Sequence, residues 1–212
     1  MTILSKKQIL EAIFHQDFSK KLVITPITDI QAQIGEGTID IRLGTRFIIF
    51  KGRKIETLDP TEKETGEKIR ELQEMIFIPY GEKLVLHPHE FILGGSLEYM
   101  RFPCNIMGYV VGRSSWGRLG LVIETSPIVH PCFLGTLTFE FSNLSTVPIA
   151  LYPGLRIAQI ALHKIEDNDK KDCKEILSKS RYRLSTNPEF SKIHMDKDLK
   201  KIRNFKPKQK RV

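Results

Sequence analysis

The 212-residue chain has a single tryptophan, three cysteines and no apolar run approaching the roughly 18 residues that a membrane helix needs. No membrane-spanning segment is expected. The N-terminus, Met1-Thr2-Ile3-Leu4-Ser5-Lys6-Lys7, lacks the apolar core of a secretory signal. Cys104, Cys132 and Cys173 are scattered, which argues against a disulfide framework and for a reducing cytoplasm. There is no internal repeat and no G-x-x-x-x-G-K-[ST] phosphate loop. The zinc signature H-x-E with P-C-x-x-C is also missing, because no cysteine stands three residues after Cys132. His87-Pro88-His89-Glu90 offers ligand-type side chains, but Pro88 breaks any helix that would align the two histidines. No zinc is expected.

A net excess of either charge is lacking until the end of the chain. The formal net charge is +8, yet residues 197–212 hold eight Lys or Arg against one Asp. The body before them is nearly neutral, so the basicity is a tail. Such a tail can bind nucleic acid or an anionic surface. It can equally be a solvated terminus. The second reading fits better, since Phe205 is its only aromatic and no stacking platform is evident.

The pattern that remains is mostly β. Ser5-Lys6-Lys7-Gln8 has capping-box spacing and precedes Ile9, Leu10, Ile13 and Phe14, which predicts a short helix over residues 5–16. Residues 38–44 alternate Ile39, Ile41 and Leu43 against Thr38, Asp40 and Arg42, and residues 46–50 continue in the same style. Residues 55–74 are charged and read as a surface excursion with a helical turn near Arg70. Residues 75–79, 83–86, 91–95 and 106–111 are strand candidates. The last is apolar nearly throughout, as in a strand buried on both faces. Short strands between Gly and Pro turns predict an all-β sandwich or barrel with small helices. The pattern changes after Cys173. We expect a domain over residues 1–178 and a mobile C-terminal arm and tail over 179–212.

The chemistry concentrates between Gly112 and Ile160. Gly112-Arg113-Ser114-Ser115-Trp116-Gly117-Arg118 predicts a capped turn with Ser114 or Ser115 at the N-cap. A helix N-terminus flanked by two hydroxyls and two guanidiniums suits phosphate. Plain capping with surface arginines explains the same residues equally well. In Thr136–Phe141, Leu137, Phe139 and Phe141 share one face, and Thr136, Thr138 and Glu140 share the other. If that second face lines a pocket, Glu140 becomes a general base or acid; otherwise it is a solvated carboxylate. Gln159, in the alternating run after Pro153-Gly154, is a candidate hydrogen-bond donor to a ligand.

Taken together, G-R-S-S-x-x-R-x-G-L, T-x-E-x-x-N and P-x-x-x-P-G-x-x-I-x-Q resemble the dCTP deaminase branch of the trimeric dUTPase-like family. Gly37-Thr38-Ile39-Asp40-Ile41-Arg42-Leu43-Gly44, Leu86-His87-Pro88-His89-Glu90-Phe91 and Ser96-Leu97-Glu98-Tyr99 support the likeness, which spans residues 1–185 in order. The resemblance implies a dUTPase-like distorted β-barrel or sandwich, a homotrimer with interfacial active sites, and zinc-free hydrolysis of dCTP to dUTP and ammonia. Some members continue to dUMP and pyrophosphate, and the triphosphate travels with Mg²⁺. Carried over by motif, Arg113, Ser114 and Ser115 would hold phosphates, Ser114 and Arg118 would position water, and Glu140 would move the proton. Gln159 would contact a phosphate, Ser126 and Phe133 would lie along the nucleoside, and Arg181 with Tyr182 would close over the triphosphate. A non-catalytic nucleotide-binding regulator on the same scaffold is the alternative of another class.

This chain departs from the family between Thr125 and Gly135. The family usually reads Thr-Ala-His or Thr-Ala-Gly, then Ile-Asp-Pro-Gly-Trp-x-Gly. Here His130 stands where an Asp binds the deoxyribose hydroxyl and, in the dUTPase branch, serves as base for phosphate-chain hydrolysis. Histidine can still donate to or accept from a hydroxyl. Ser185 lies near the place of the Gln that usually follows the basic-aromatic pair.

Overall fold

Period-two alternation sets the longer strands of this chain. The computed structural model describes residues 2–52, 57–124, 127–166, 173–178, 180–182 and 184–205. The first elements are α1 (Lys6–Ile13), β1 (Val23–Thr25), α2 (Ile30–Gln33), β2 (Thr38–Phe50), α3 (Thr65–Leu72), β3 (Gln73–Phe77), β4 (Leu84–Leu86), β5 (Phe91–Arg101) and β6 (Ile106–Gly112). Then come α4 (Ser114–Gly117), β7 (Leu121–Glu124), β8 (Ile128–Val129), β9 (Leu134–Asn143), β10 (Ile149–Leu151), β11 (Arg156–Lys164), α5 (Cys173–Ser178), a 3₁₀ turn (Ile193–Met195) and α6 (Lys197–Phe205). The mainly β expectation holds.

Among the described residues, nine strands form one antiparallel sheet ordered β7-β9-β5-β2-β11-β6-β8, with β1 on β5 and β3 on β2. The sheet curls until β6 and β7 touch. Strand β2 makes the curl possible. Its first half, residues 38–42, pairs with β11; its second half, residues 46–50, pairs with β3. The register against β5 shifts between Leu43 and Phe47. Gly44 sits in that shift, and a Cβ there would stand 2.9 Å from the Gly95 carbonyl oxygen. Only glycine allows so close an approach. One core fills the curl, with Ile39, Ile41 and Phe47 from β2, Phe139 and Phe141 from β9, and Ile160 and Leu162 from β11.

Local expectations fare well where the signal is local. The capping box forms: the Ser5 backbone N–H donates to Gln8 Oε1 at 2.9 Å, and the Gln8 N–H to Ser5 Oγ at 3.4 Å. The helix stops at Ile13, one turn short of the expected end, with Ile9 and Ile13 buried. The turn near Arg70 is a full helix, α3, held by buried Ile69.

Two expectations are corrected. Strand β6 is not buried on both faces: Val110 is inside while Val111 is 50% exposed, because only one side of the strand meets the core. The second correction concerns the cysteines. Cys132 and Cys173 are disulfide-bonded across 41 residues of sequence, with Cα atoms 5.1 Å apart. Cys104 is buried and not disulfide-bonded. The pairing is non-local, so spacing along the chain could not reveal it.

After α5 the chain runs back along β9. The Leu184 N–H donates to the Leu134 carbonyl at 2.8 Å, the Thr136 N–H to the Ser185 carbonyl at 2.8 Å, and the Glu189 N–H to Thr138 Oγ1 at 3.1 Å. Further on, the Arg203 guanidinium donates to the carbonyls of Thr61 and Glu62. No helix among the described residues is long and apolar enough to cross a membrane.

Where the two halves of β2 meet, a carboxylate is buried. Glu98 is 0% exposed and accepts from Gln33 Nε2 and from the Arg42 backbone N–H, both at 2.9 Å. Burial pushes its carboxyl up from an ordinary 4.5 to about 7, against the pull of the Arg42 N–H, the Arg42 charge and Gln33. Between those two pH values the folded state keeps a proton that the unfolded chain has released. The stabilisation is therefore complete below pH 4.5 and lost as pH rises to about 7. It amounts to roughly 3 kcal/mol at most. Urea unfolding of the native chain and of Glu98→Gln should show the native chain losing stability relative to the variant across this window. A constant difference would contradict the assignment.

Candidate active site

The apolar side of β9 sets the site. Leu137, Phe139 and Phe141 turn into the core, so Thr136, Thr138 and Glu140 turn outward. Glu140 is half-buried and stands in register with Leu93 of β5 on one side and Glu124 of β7 on the other. A cavity of about 490 Å³ opens against this face. Its floor is Thr136, Thr138 and Glu140, and its apolar wall is Phe50, Phe91 and Leu93 beside Gln73. His130 and Phe133 enter from the loop after β8. Tyr182, Ser185 and Glu189 close it from the C-terminal segment. A volume of this size suits a small organic ligand.

The loop that carries His130 and Phe133 is held firmly. The Phe133 N–H donates to the His130 carbonyl at 3.1 Å. The Phe133 ring meets Phe102 edge-on, with centroids 6.4 Å apart. Between them Cys132 ties the loop to α5. Ser126 lies outside the described residues.

The expected phosphate residues form a second group. Helix α4 is a single turn whose N-cap is Arg113, with no side-chain cap bond. Ser114 and Ser115 are thus inside the first turn and not the cap, because Arg113 leaves β6 still extended at φ −72° and ψ 131°. The turn is fastened to β11. Trp116 Nε1 donates to the Arg156 carbonyl at 3.0 Å, and the Arg113 N–H to the Ile157 carbonyl at 3.2 Å. Gly120 follows at φ +86°, where a Cβ would stand 2.7 Å from that of Ser145. Arg118 is the C-cap. Gln159 lies on the outward face of β11 nearby, two residues beyond Ile157.

These two groups do not meet within one chain. None of Arg113, Ser114, Ser115, Arg118 and Gln159 lines the cavity around Glu140. Glu140 is on the outward face of the layer containing β9 and β5; Gln159 is on the outward face of the layer containing β11 and β6. The core lies between them.

Of the C-terminal pair, Tyr182 reaches the cavity and its hydroxyl accepts from the Lys192 N–H at 2.9 Å. Arg181 points elsewhere, to Asp196 at 2.8 Å. The sequence reasoning missed the walls from Phe50, Gln73 and Phe91, and it missed Glu189. The outward alternation of Phe91 and Leu93 carried a usable signal for the first group. Nothing local marks Glu189, whose place depends on the return of the chain along β9. Thr138→Val removes the acceptor for the Glu189 N–H, at a cost of about 1 kcal/mol. Limited trypsin cleavage after Lys192 should then run about fivefold faster when opening is in fast equilibrium. An unchanged rate would show that this contact does not hold the segment.

A curled antiparallel sheet, with a glutamate on the floor of an open cavity in one layer and a one-turn helix flanked by two arginines in the other, places the chain in the mainly β class. Within it, the chain belongs to the dCTP deaminase-like family, whose profile matches residues 3–165. It is 36% identical to the dCTP deaminase of Halorubrum lacusprofundi, over 93% of this chain and 94% of the relative. It is 37% identical to a dCTP deaminase, dUMP-forming, of Methanobrevibacter smithii, over 95% of this chain and 100% of the relative. The fold is shared with the solved 2'-deoxycytidine 5'-triphosphate deaminase of Agrobacterium tumefaciens, at TM-score 0.56 and 20% identity over 77% of this chain. This chain spans 48% of the length of that one.

Proposed function

We propose that this protein deaminates dCTP to dUTP and ammonia, with Glu140 as the proton carrier. The observation that supports this most directly is an outward-facing, half-buried carboxylate on the floor of a nucleoside-sized cavity, in a chain of this family. Water is a weak nucleophile toward C4 of cytosine. Glu140 would take its proton as the oxygen adds to C4, then deliver a proton to N4 as the C4–N4 bond breaks. His130 and Phe133 would flank the deoxyribose, with Ser126 beside them.

The phosphate half is proposed to come from a second copy. Arg113, Ser114 and Ser115 would bind the triphosphate, and Ser114 with Arg118 would hold the attacking water and offset the charge that develops on attack. A homotrimer satisfies this arrangement, because a rotation that closes brings one chain's turn to the next chain's cavity. Gln159 would contact a phosphate. We take residues 179–212 as an arm that closes over the nucleotide through Tyr182 and Arg181. Among the described residues no three His, Cys, Asp or Glu side chains converge on a metal position. Mg²⁺ would arrive on the phosphate oxygens of the substrate, as this ion commonly does. A nucleoside triphosphate substrate suits a cytoplasmic protein.

Glu140→Gln should abolish ammonia release while leaving dCTP binding within about threefold, since the amide keeps the shape and loses the base. Ammonia release at the native rate would remove Glu140 from the mechanism. Tight binding without turnover in the native chain would instead favour a regulator. The second enzymatic reading, onward cleavage to dUMP and pyrophosphate, is favoured by the dUMP-forming relative. His130 on the cavity wall weighs against it, because the resemblance places an Asp base there. With dCTP and Mg²⁺ we expect ammonia without stoichiometric pyrophosphate. Equal yields of the two would establish the bifunctional reading.

A further inference from the structure

Gln159 has a partner that its proposed role does not mention. It pairs directly across β11 and β2 with Asp40, and its Nε2 donates to Asp40 Oδ1 at 2.8 Å. Asp40 is 6% exposed. Its other oxygen accepts from Arg156 Nη1 at 3.0 Å, and the same Nη1 donates to the Ala32 carbonyl at 2.8 Å. The backbone of Arg156 is also the strut of the phosphate turn, through the bond from Trp116.

This arrangement resolves an ambiguity that a ligand-binding glutamine carries. Its amide presents a donor on one side and an acceptor on the other, and only the donor suits a phosphate. An ionised carboxylate is acceptor-only. Asp40 therefore fixes the amide with nitrogen on its side, and the second N–H of Nε2 remains available to a ligand. A bare carboxylate so close would repel a triphosphate. Arg156 offsets that charge.

We infer that Asp40 is a positioning residue of the phosphate half-site: it orients the Gln159 amide so that an N–H meets the triphosphate, with Arg156 cancelling its charge. The inference rests on Gln159 being a phosphate ligand, and the test separates the two. In Asp40→Asn the single amide oxygen is drawn to the Arg156 guanidinium, which leaves the NH2 opposite Gln159 and lets that amide turn over and present its oxygen. The KM for dCTP should rise about tenfold, with kcat falling far less, as expected for a lost binding contact. Gln159→Ala should raise KM to a similar extent. In the double variant Asp40→Asn/Gln159→Ala, KM should be no higher than in Gln159→Ala alone. Asp40→Glu keeps an acceptor-only group, so its KM should lie closer to that of the native chain than to that of Asp40→Asn. Where Asp40→Asn does not fold, Asp40→Glu is read against the native chain and Gln159→Ala instead, and a KM as high as that of Gln159→Ala would overturn the inference.

Unchanged KM in Gln159→Ala would remove Gln159 as a phosphate ligand and the inference with it. Raised KM in Gln159→Ala, with Asp40→Asn unaffected, would overturn only the inference. Multiplying effects in the double variant would also overturn it, because Asp40 would then act independently of Gln159.

Discussion

Strand β2 has to serve two layers at once, and the positions of both candidate half-sites follow from how it does so. Its first half sends Ile39 and Ile41 into the core and Asp40 outward under Gln159. After the shift between Leu43 and Phe47, its second half sends Phe47 inward and sets Phe50 against the cavity. Gly44 permits the change by letting the β5 backbone approach within reach of its missing Cβ. The strand also supplies the N–H that Glu98 accepts, so the bend is underpinned by a buried, partly satisfied polar cluster.

What could be read from the sequence was what local periodicity encodes. Leu137, Phe139 and Phe141 announce their strand and face unaided, so Glu140 could be singled out as an outward carboxylate. Ser5 and Gln8 announce their helix for the same reason. The serines of the phosphate turn misled at the cap because a one-turn helix carries no periodic signal, and Arg113 is still in the extended geometry of β6. The partnership of Asp40 with Gln159 depends on which strands become neighbours across about 120 residues of chain, which pattern alone does not fix.

The remaining walls of the cavity were illegible for a related reason. They come from the return of the C-terminal segment along β9 and from the bond between Cys132 and Cys173. Both are long-range contacts made by a stretch of weak periodicity. His130, Cys132 and Phe133 occupy one short loop, and that loop is tied to α5 at one point and packed on Phe102 at another.

A cavity holding Glu140 and a turn holding Arg118 lie in different layers of one chain, so the central claim is that a second copy completes the site. Co-expressing Glu140→Gln with Arg118→Ala and assaying ammonia release from dCTP tests it most directly. Each variant alone should be inactive. Random mixing in a closed ring should restore roughly a quarter of the native activity, because some cavities then pair an intact Glu140 with an intact neighbouring turn. Mixed assemblies that stay as inactive as either variant alone would contradict the account.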